Sequence, residues 1–244
     1  MIKFFSKAIA FIFVFNSFAA GVKAEVRHAK IVIVGSSGAG KTILQRVLVG
    51  KPLPWDLPHT RQLDMVEKEI ELSVLPKKTV IAHIWDTPSA MQSIQLIYDF
   101  SKTAHVVIVV LSGYIGRYNE KFEKECEELI DNLNSDCRII FVITGKYSTT
   151  QMNKVMHFVK NILIGETLKE RMDGLYIFPD LSEDEVNKCR IEVNKMIATA
   201  IKNYGYEKLP KDAHGMHARI VEHYIHKYVN NSPILEKKYE LDIY

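Results

Sequence analysis

Short uninterrupted apolar runs alternate with stretches of helical period along this chain, a pattern that predicts a mostly parallel sheet covered by helices on both faces. Lys30 to Val34, Val106 to Leu111 and Arg138 to Thr144 suit strands buried on both sides. From Val66 the pattern changes: Val66, Ile70, Leu72 and Val74 are interleaved with Glu67, Glu69, Glu71 and Ser73, as in a strand with one wet face. Val80 to Trp85 follows closely, so the pair predicts an antiparallel hairpin across Pro76, Lys77 and Lys78.

Helices are predicted between the strands. Lys41 to Val49 forms the first, closed near Gly50 and Pro52. Phe122, Cys126, Leu129, Ile130 and Leu133 mark one face of another, and Val155, Phe158, Val159, Ile162 and Leu163 a third. Leu175 to Phe178 supplies a further strand. Ser182 with Glu185 predicts a capping box before Val186, Cys189, Val193, Ile197 and Ile201, a helix that Gly205 and Pro210 would end. The expected architecture is one α/β domain over 25–204, with about six strands, one of them an antiparallel edge. Residues 205–244 are expected to form a helical extension, with Ile220, Val221, Tyr224, Ile225, Tyr228 and Val229 on one face.

The N-terminus has a different character. Lys3 and Lys7 precede the apolar stretch Ala8 to Phe15, and small Val22 and Ala24 flank Lys23 in the pattern of a cleavage site. Residues 1–24 therefore predict a signal peptide and export. The apolar run is well short of the roughly 20 residues that cross hydrocarbon, which makes an uncleaved membrane tether the second reading.

Composition narrows the function classes. The 244 residues are 47% hydrophobic and 25% charged, enough for one sizeable core. The net charge of +3 is carried by Lys3, Lys7 and Lys23, so the remainder is neutral and nucleic acid is not an expected partner. Cys126, Cys137 and Cys189 have neither disulfide-framework nor zinc spacing. His214, His217, His223 and His226 lack an acidic or cysteine partner that would complete a metal site.

Gly35-Ser36-Ser37-Gly38-Ala39-Gly40-Lys41-Thr42 matches the phosphate-loop pattern between a predicted strand and a helix start, the context that motif needs. Its amides and the positive end of the helix suit phosphate oxygens. Lys41 would neutralise the β- and γ-phosphates, and the Thr42 hydroxyl would reach Mg²⁺. Asp86, after the strand ending Ile84-Trp85, falls where a carboxylate faces the same crevice and would hold the Mg²⁺ shell. The expected fold is that of a P-loop NTPase.

With these residues in view, the chain resembles the small GTPases of the Ras superfamily, and Rab proteins most. The likeness rests on GSSGAGKT at 35–42, the hairpin after it, Ile84-Trp85-Asp86-Thr87 and the strand His105 to Leu111. It spans roughly residues 29–204. It implies GTP and Mg²⁺ as ligands and vesicle-trafficking proteins as partners. It also implies that Thr60 binds Mg²⁺ and senses the γ-phosphate.

The chain also departs from that family. Asp86-Thr87-Pro88-Ser89-Ala90 lacks the glutamine that orients the attacking water in the family; Gln92 and Gln95 are out of register. Of the base-recognition box Asn-Lys-x-Asp only Lys146 remains, within Gly145-Lys146-Tyr147-Ser148. No Ser-Ala-Lys box is recognisable around Pro179-Asp180-Leu181, and no cysteine follows Cys189 to carry a prenyl anchor. Two functions are therefore expected: a weakly hydrolysing nucleotide switch, exported and delivered into a host cell, or a pseudo-GTPase module that binds trafficking proteins without turnover.

Overall fold

The structure is a computed structural model that describes residues 25–54, 63–73, 78–88, 94–112, 120–146, 148–162 and 169–213. Residues 1–24, Thr60, Pro76, Lys77, Ser89, Ala90, Gln92 and 214–244 lie outside that set.

Six strands make one sheet: β1 (Val26–Gly35), β2 (Asp64–Leu72), β3 (Lys78–Asp86), β4 (Val106–Ser112), β5 (Arg138–Thr144) and β6 (Met172–Phe178). Their order is β2-β3-β1-β4-β5-β6. β2 pairs antiparallel with β3, and every other pair is parallel. This is the expected P-loop NTPase arrangement, with the acidic alternating strand β2 at the edge.

Period-two alternation in the central strands feeds two separate cores. On one face Ile31, Ile33, Ile108 and Val142 pack against helices α1 (Lys41–Val49) and α5 (Glu183–Tyr204) through Leu44, Leu48, Val193 and Ile197. On the other, Val32, Val109 and Phe141 meet α2 (Ile94–Ser101), α3 (Glu120–Asp131) and α4 (Thr149–Ile162) through Phe100, Leu129 and Phe158. Every residue of β4 is buried, and each such Val or Ile contributes about 1.5–3 kcal/mol through burial. No described helix is long and apolar enough to cross a membrane.

α1 and β5 begin and end where the pattern placed them, while other elements differ. β1 starts at Val26 rather than Lys30 because the chain after α5 returns to cover it: Arg27 Nη1 donates to the Leu209 carbonyl at 2.8 Å, and the His28 amide to that of Pro210 at 2.9 Å. α2 has no counterpart among the expected elements. Ser182 is the N-cap of α5, but its side chain makes no capping bond to the helix. The expected box with Glu185 does not form, because Asp180 captures Ser182 instead: its Oδ1 accepts the Ser182 amide at 3.0 Å, and Glu185 pairs with Lys188.

β6 is fixed in register by a forked ion pair. Arg138 Nε and Nη2 meet Asp173 Oδ2 and Oδ1 at 2.7 and 2.8 Å. This fork lies at the N-terminal ends of the two strands; at their C-terminal ends Thr144 stands opposite Phe178 and the Gly145 amide donates to the Phe178 carbonyl at 2.9 Å, next to the loop that follows β1.

Candidate functional site

The Gly35–Thr42 turn joins β1 to α1 in a backbone path that its glycines permit. Gly38 and Gly40 adopt φ of 68° and 92°, the left-handed region that side chains disfavour. At Gly35 the constraint is space: a Cβ there would lie 2.4 Å from the Val110 carbonyl oxygen. Ser37 and Gly38 are exposed at the turn's tip and Ala39 is buried beneath it. The Ala39 amide donates to the Ser36 carbonyl at 3.2 Å, and Gly40 caps α1. The start of α1 carries no acidic residue, so its positive end is uncompensated by side chains in the first turn.

Lys41 and Thr42 come together with Asp86. Buried Lys41 lays its Nζ over the turn, donating to the carbonyls of Gly35 at 2.8 Å and Ser36 at 3.1 Å. Burial pushes its ammonium down to about 8, and the Asp86 charge opposes that shift. Thr42 Oγ1 donates to Asp86 Oδ2 at 2.5 Å. Asp86 is fully buried at the end of β3, and the adjoining Thr87 hydroxyl ties the loop to the Ile33 carbonyl at 2.8 Å. Gln45, one turn into α1, donates to the carbonyls of Ile84 and Asp64 at 3.1 and 3.2 Å, holding both hairpin strands against the helix.

Two hard oxygen donors beside a phosphate-type loop fit a Mg²⁺ ion, which binds through few protein ligands and completes its shell with water and phosphate. Among the described residues there is no cluster of three His, Cys, Asp or Glu that could form an all-protein metal cage. Thr60, the third expected metal ligand, lies outside the described residues.

Two contributors were not legible as site residues. Thr144, the last residue of β5, donates its hydroxyl to the Ala39 carbonyl at 2.6 Å and so pins the turn from the neighbouring strand. Beyond it opens a cavity of about 580 Å³, bounded by Gly38 to Gly40 and Ile43, by Thr144 to Lys146, and by Phe178 to Leu181. Lys146 is exposed on its wall, and Asp180 partly buried. Hydrogen bonds from the Ser182 hydroxyl and amide, assisted by the Lys146 charge, lower the Asp180 pKa. A strand-end carboxylate on the C-terminal side of a parallel sheet is the signal that could have found it.

Ser148, in the place of the family aspartate, is engaged elsewhere. Its amide donates to Gln151 Oε1 at 3.0 Å and its hydroxyl accepts the Gln151 amide at 3.3 Å, a reciprocal cap on α4.

The model of the Roc family, described as "Ras of Complex, Roc, domain of DAPkinase", matches residues 30–148, just under half of the chain. The Ypt/Rab-type GTPase ypt71 of Schizosaccharomyces pombe is 26% identical over 117 residues, covering 48% of this chain and 55% of that protein. The solved structure of Methanosarcina barkeri Roco2 RocCORdC bound to GDP superposes with a TM-score of 0.52 at 16% identity. That match covers 76% of this chain and 53% of the other. The chain thus spans about half the length of the relatives it matches.

Proposed function

We propose that this chain, whose residues 30–148 match the Roc family model and are similar to a Ypt/Rab-type GTPase, is a nucleotide-dependent switch of the small-GTPase kind that binds Mg²⁺-GTP and hydrolyses it slowly. One observation carries the reading: Lys41, the Thr42–Asp86 pair and the left-handed glycine turn converge at the start of α1. The turn's amides and the helix end would bind the β- and γ-phosphates, with Lys41 neutralising them. Thr42 and Asp86, with Thr60 by family likeness, would hold Mg²⁺, whose charge would offset that of the phosphates. Slow turnover follows from the sequence Asp86-Thr87-Pro88-Ser89-Ala90, which supplies no glutamine to orient water.

The test is a titration of fluorescent mant-GTP into the full chain and into Lys41→Ala, followed by single-turnover hydrolysis. Saturable binding lost in the variant, with slow phosphate release, supports the switch. Equal, non-saturable signals from both proteins would remove it.

A second reading, a module that binds trafficking proteins without turnover, is favoured by the diversion of Ser148 into the α4 cap. Capture of a Rab-regulatory protein that persists in EDTA would support it. We further propose that residues 1–24 direct export, delivering the domain into a host cell where GTP and such partners are present. Intact mass of protein from the native source decides this: a mature chain beginning at Glu25 agrees, and a retained Met1 in a cytosolic fraction contradicts it.

A further inference from the structure

The cavity beside the phosphate turn contains a carboxylate that no recognised base-binding box supplies. We propose that Asp180 is the base-selecting residue, its carboxylate accepting hydrogen bonds from the N1–H and 2-amino group of a guanine seated in this cavity. The proposal rests on the nucleotide-binding reading above and adds the choice of base to it.

Three features of the site lead there. The cavity opens directly from Gly38, Ala39 and Gly40, so a nucleoside attached to phosphates in the turn can extend into it. Its volume of about 580 Å³ lies in the range of small-molecule sites. Ile43, Phe178, Pro179 and Leu181 give it apolar walls, suited to the faces of a flat ring.

Among the described residues, its ionisable wall positions are Lys146 and Asp180. Guanine presents two adjacent N–H donors along one edge, and a carboxylate can accept both. Adenine places the N1 lone pair on the equivalent edge, where it would oppose the carboxylate. Lys146, a donor only, cannot satisfy the guanine N–H pair.

Asp180 is also fixed in place. Pro179, its φ fixed by the ring, limits the backbone just before it, and the Asp180 Oδ1 accepts the Ser182 amide at the start of α5. A carboxylate has about four acceptor positions on its two oxygens, so the Ser182 amide and hydroxyl together leave about two for a base. The Gly145 amide donates to the Phe178 carbonyl at 2.9 Å, which ties the start of the Asp180 loop to the segment that carries Lys146. Ser148, with its amide and hydroxyl engaged by Gln151, is not placed to substitute.

The test is calorimetric titration of the full chain with GTP, ITP and ATP in the presence of Mg²⁺, for wild type and Asp180→Asn. Inosine keeps N1–H and lacks the 2-amino group, so GTP against ITP reads one of the two proposed bonds. Wild type is expected to bind GTP about tenfold more tightly than ITP and about a hundredfold more tightly than ATP. Asp180→Asn preserves an oxygen for the Ser182 amide. It is expected to bring GTP and ITP within about twofold, with ATP affinity unchanged.

Equal affinity of wild type for GTP and ATP, or the wild-type order surviving in Asp180→Asn, would overturn the assignment and leave the phosphate cradle intact. Failure of wild type to bind any of the three triphosphates would remove the nucleotide-binding reading and this one with it. If Asp180→Asn loses its thermal unfolding transition, the wild-type ranking of the three nucleotides decides.

Discussion

Thr42 donates its hydroxyl to the Asp86 carboxylate across 2.5 Å, joining the first turn of α1 to the end of β3. The residues are 44 positions apart in sequence. Only the parallel pairing of β1 with β3, which sets Ile33 opposite Asp86, brings them together. In the proposed switch this pair would admit Mg²⁺ between protein and phosphate. Asp86→Asn keeps a hydrogen-bond acceptor for Thr42 but weakens the charge. Nucleotide affinity measured with Mg²⁺ should fall about tenfold or more, while affinity in EDTA changes little. An equal loss in both conditions would assign Asp86 a structural role instead.

Thr144 pins the turn through the Ala39 carbonyl at 2.6 Å. Thr144→Val conserves shape and removes that donor, leaving a buried carbonyl without this partner. Chemical denaturation should show a loss of about 1–3 kcal/mol. Stopped-flow release of bound nucleotide should become faster, because the turn is no longer held from β5. Unchanged release would mean that β1 and α1 alone fix the turn.

His105 offers a pH test of the fold away from the site. It is buried, its Nδ1 accepts the Lys30 amide at 2.8 Å, and burial lowers its pKa from 6.5 to about 4, with the Lys30 charge adding to the shift. Between those values the unfolded chain binds the proton and the folded chain does not, so stability rises with pH across that window. Below about 4 both states are protonated and the contribution is gone. The depression corresponds to about 3 kcal/mol. His105→Asn can accept the Lys30 amide without titrating, and urea unfolding between pH 4 and 6.5 should show a shallower slope than wild type. An identical slope would place the acid sensitivity elsewhere.

The Arg138–Asp173 fork ties the N-terminal ends of β5 and β6, at the opposite end of the strands from Asp180. The Asp173 side chain is 2% exposed, so Arg138→Met leaves a carboxylate buried without its cation, at a cost of about 3 kcal/mol. The companion Asp173→Asn should be milder, because no unpaired anion remains. Urea midpoints of the two variants test that order, and reversal would contradict the account.

How much of this was legible depends on whether the cause is local. α1 was readable to the residue because Gly40 and Gly50 both sit at positive φ and punctuate it on either side. The core strands were readable because burial on both faces leaves long apolar runs. The first residues of β1 were not, since polar Arg27 and His28 gain their partners from Leu209 and Pro210, far along the chain. α2 was missed because its eight residues offer too little helical period to stand out. The phosphate turn is contiguous and announced itself; Thr144 and Asp180 are remote from it in sequence and became visible only when β5 and β6 were set beside β1. The absent base-recognition aspartate drew attention to Ser148, whereas the carboxylate nearest the cavity lies on the next loop.

The most direct measurement of the central claim is ³¹P NMR of Mg²⁺-GTP with the full chain and with Lys41→Ala. Cradling by the 35–42 turn predicts shifted, broadened β and γ resonances with wild type and free-nucleotide resonances with the variant. Free-nucleotide resonances with the folded wild-type protein, at concentrations that saturate related GTPases, would contradict it.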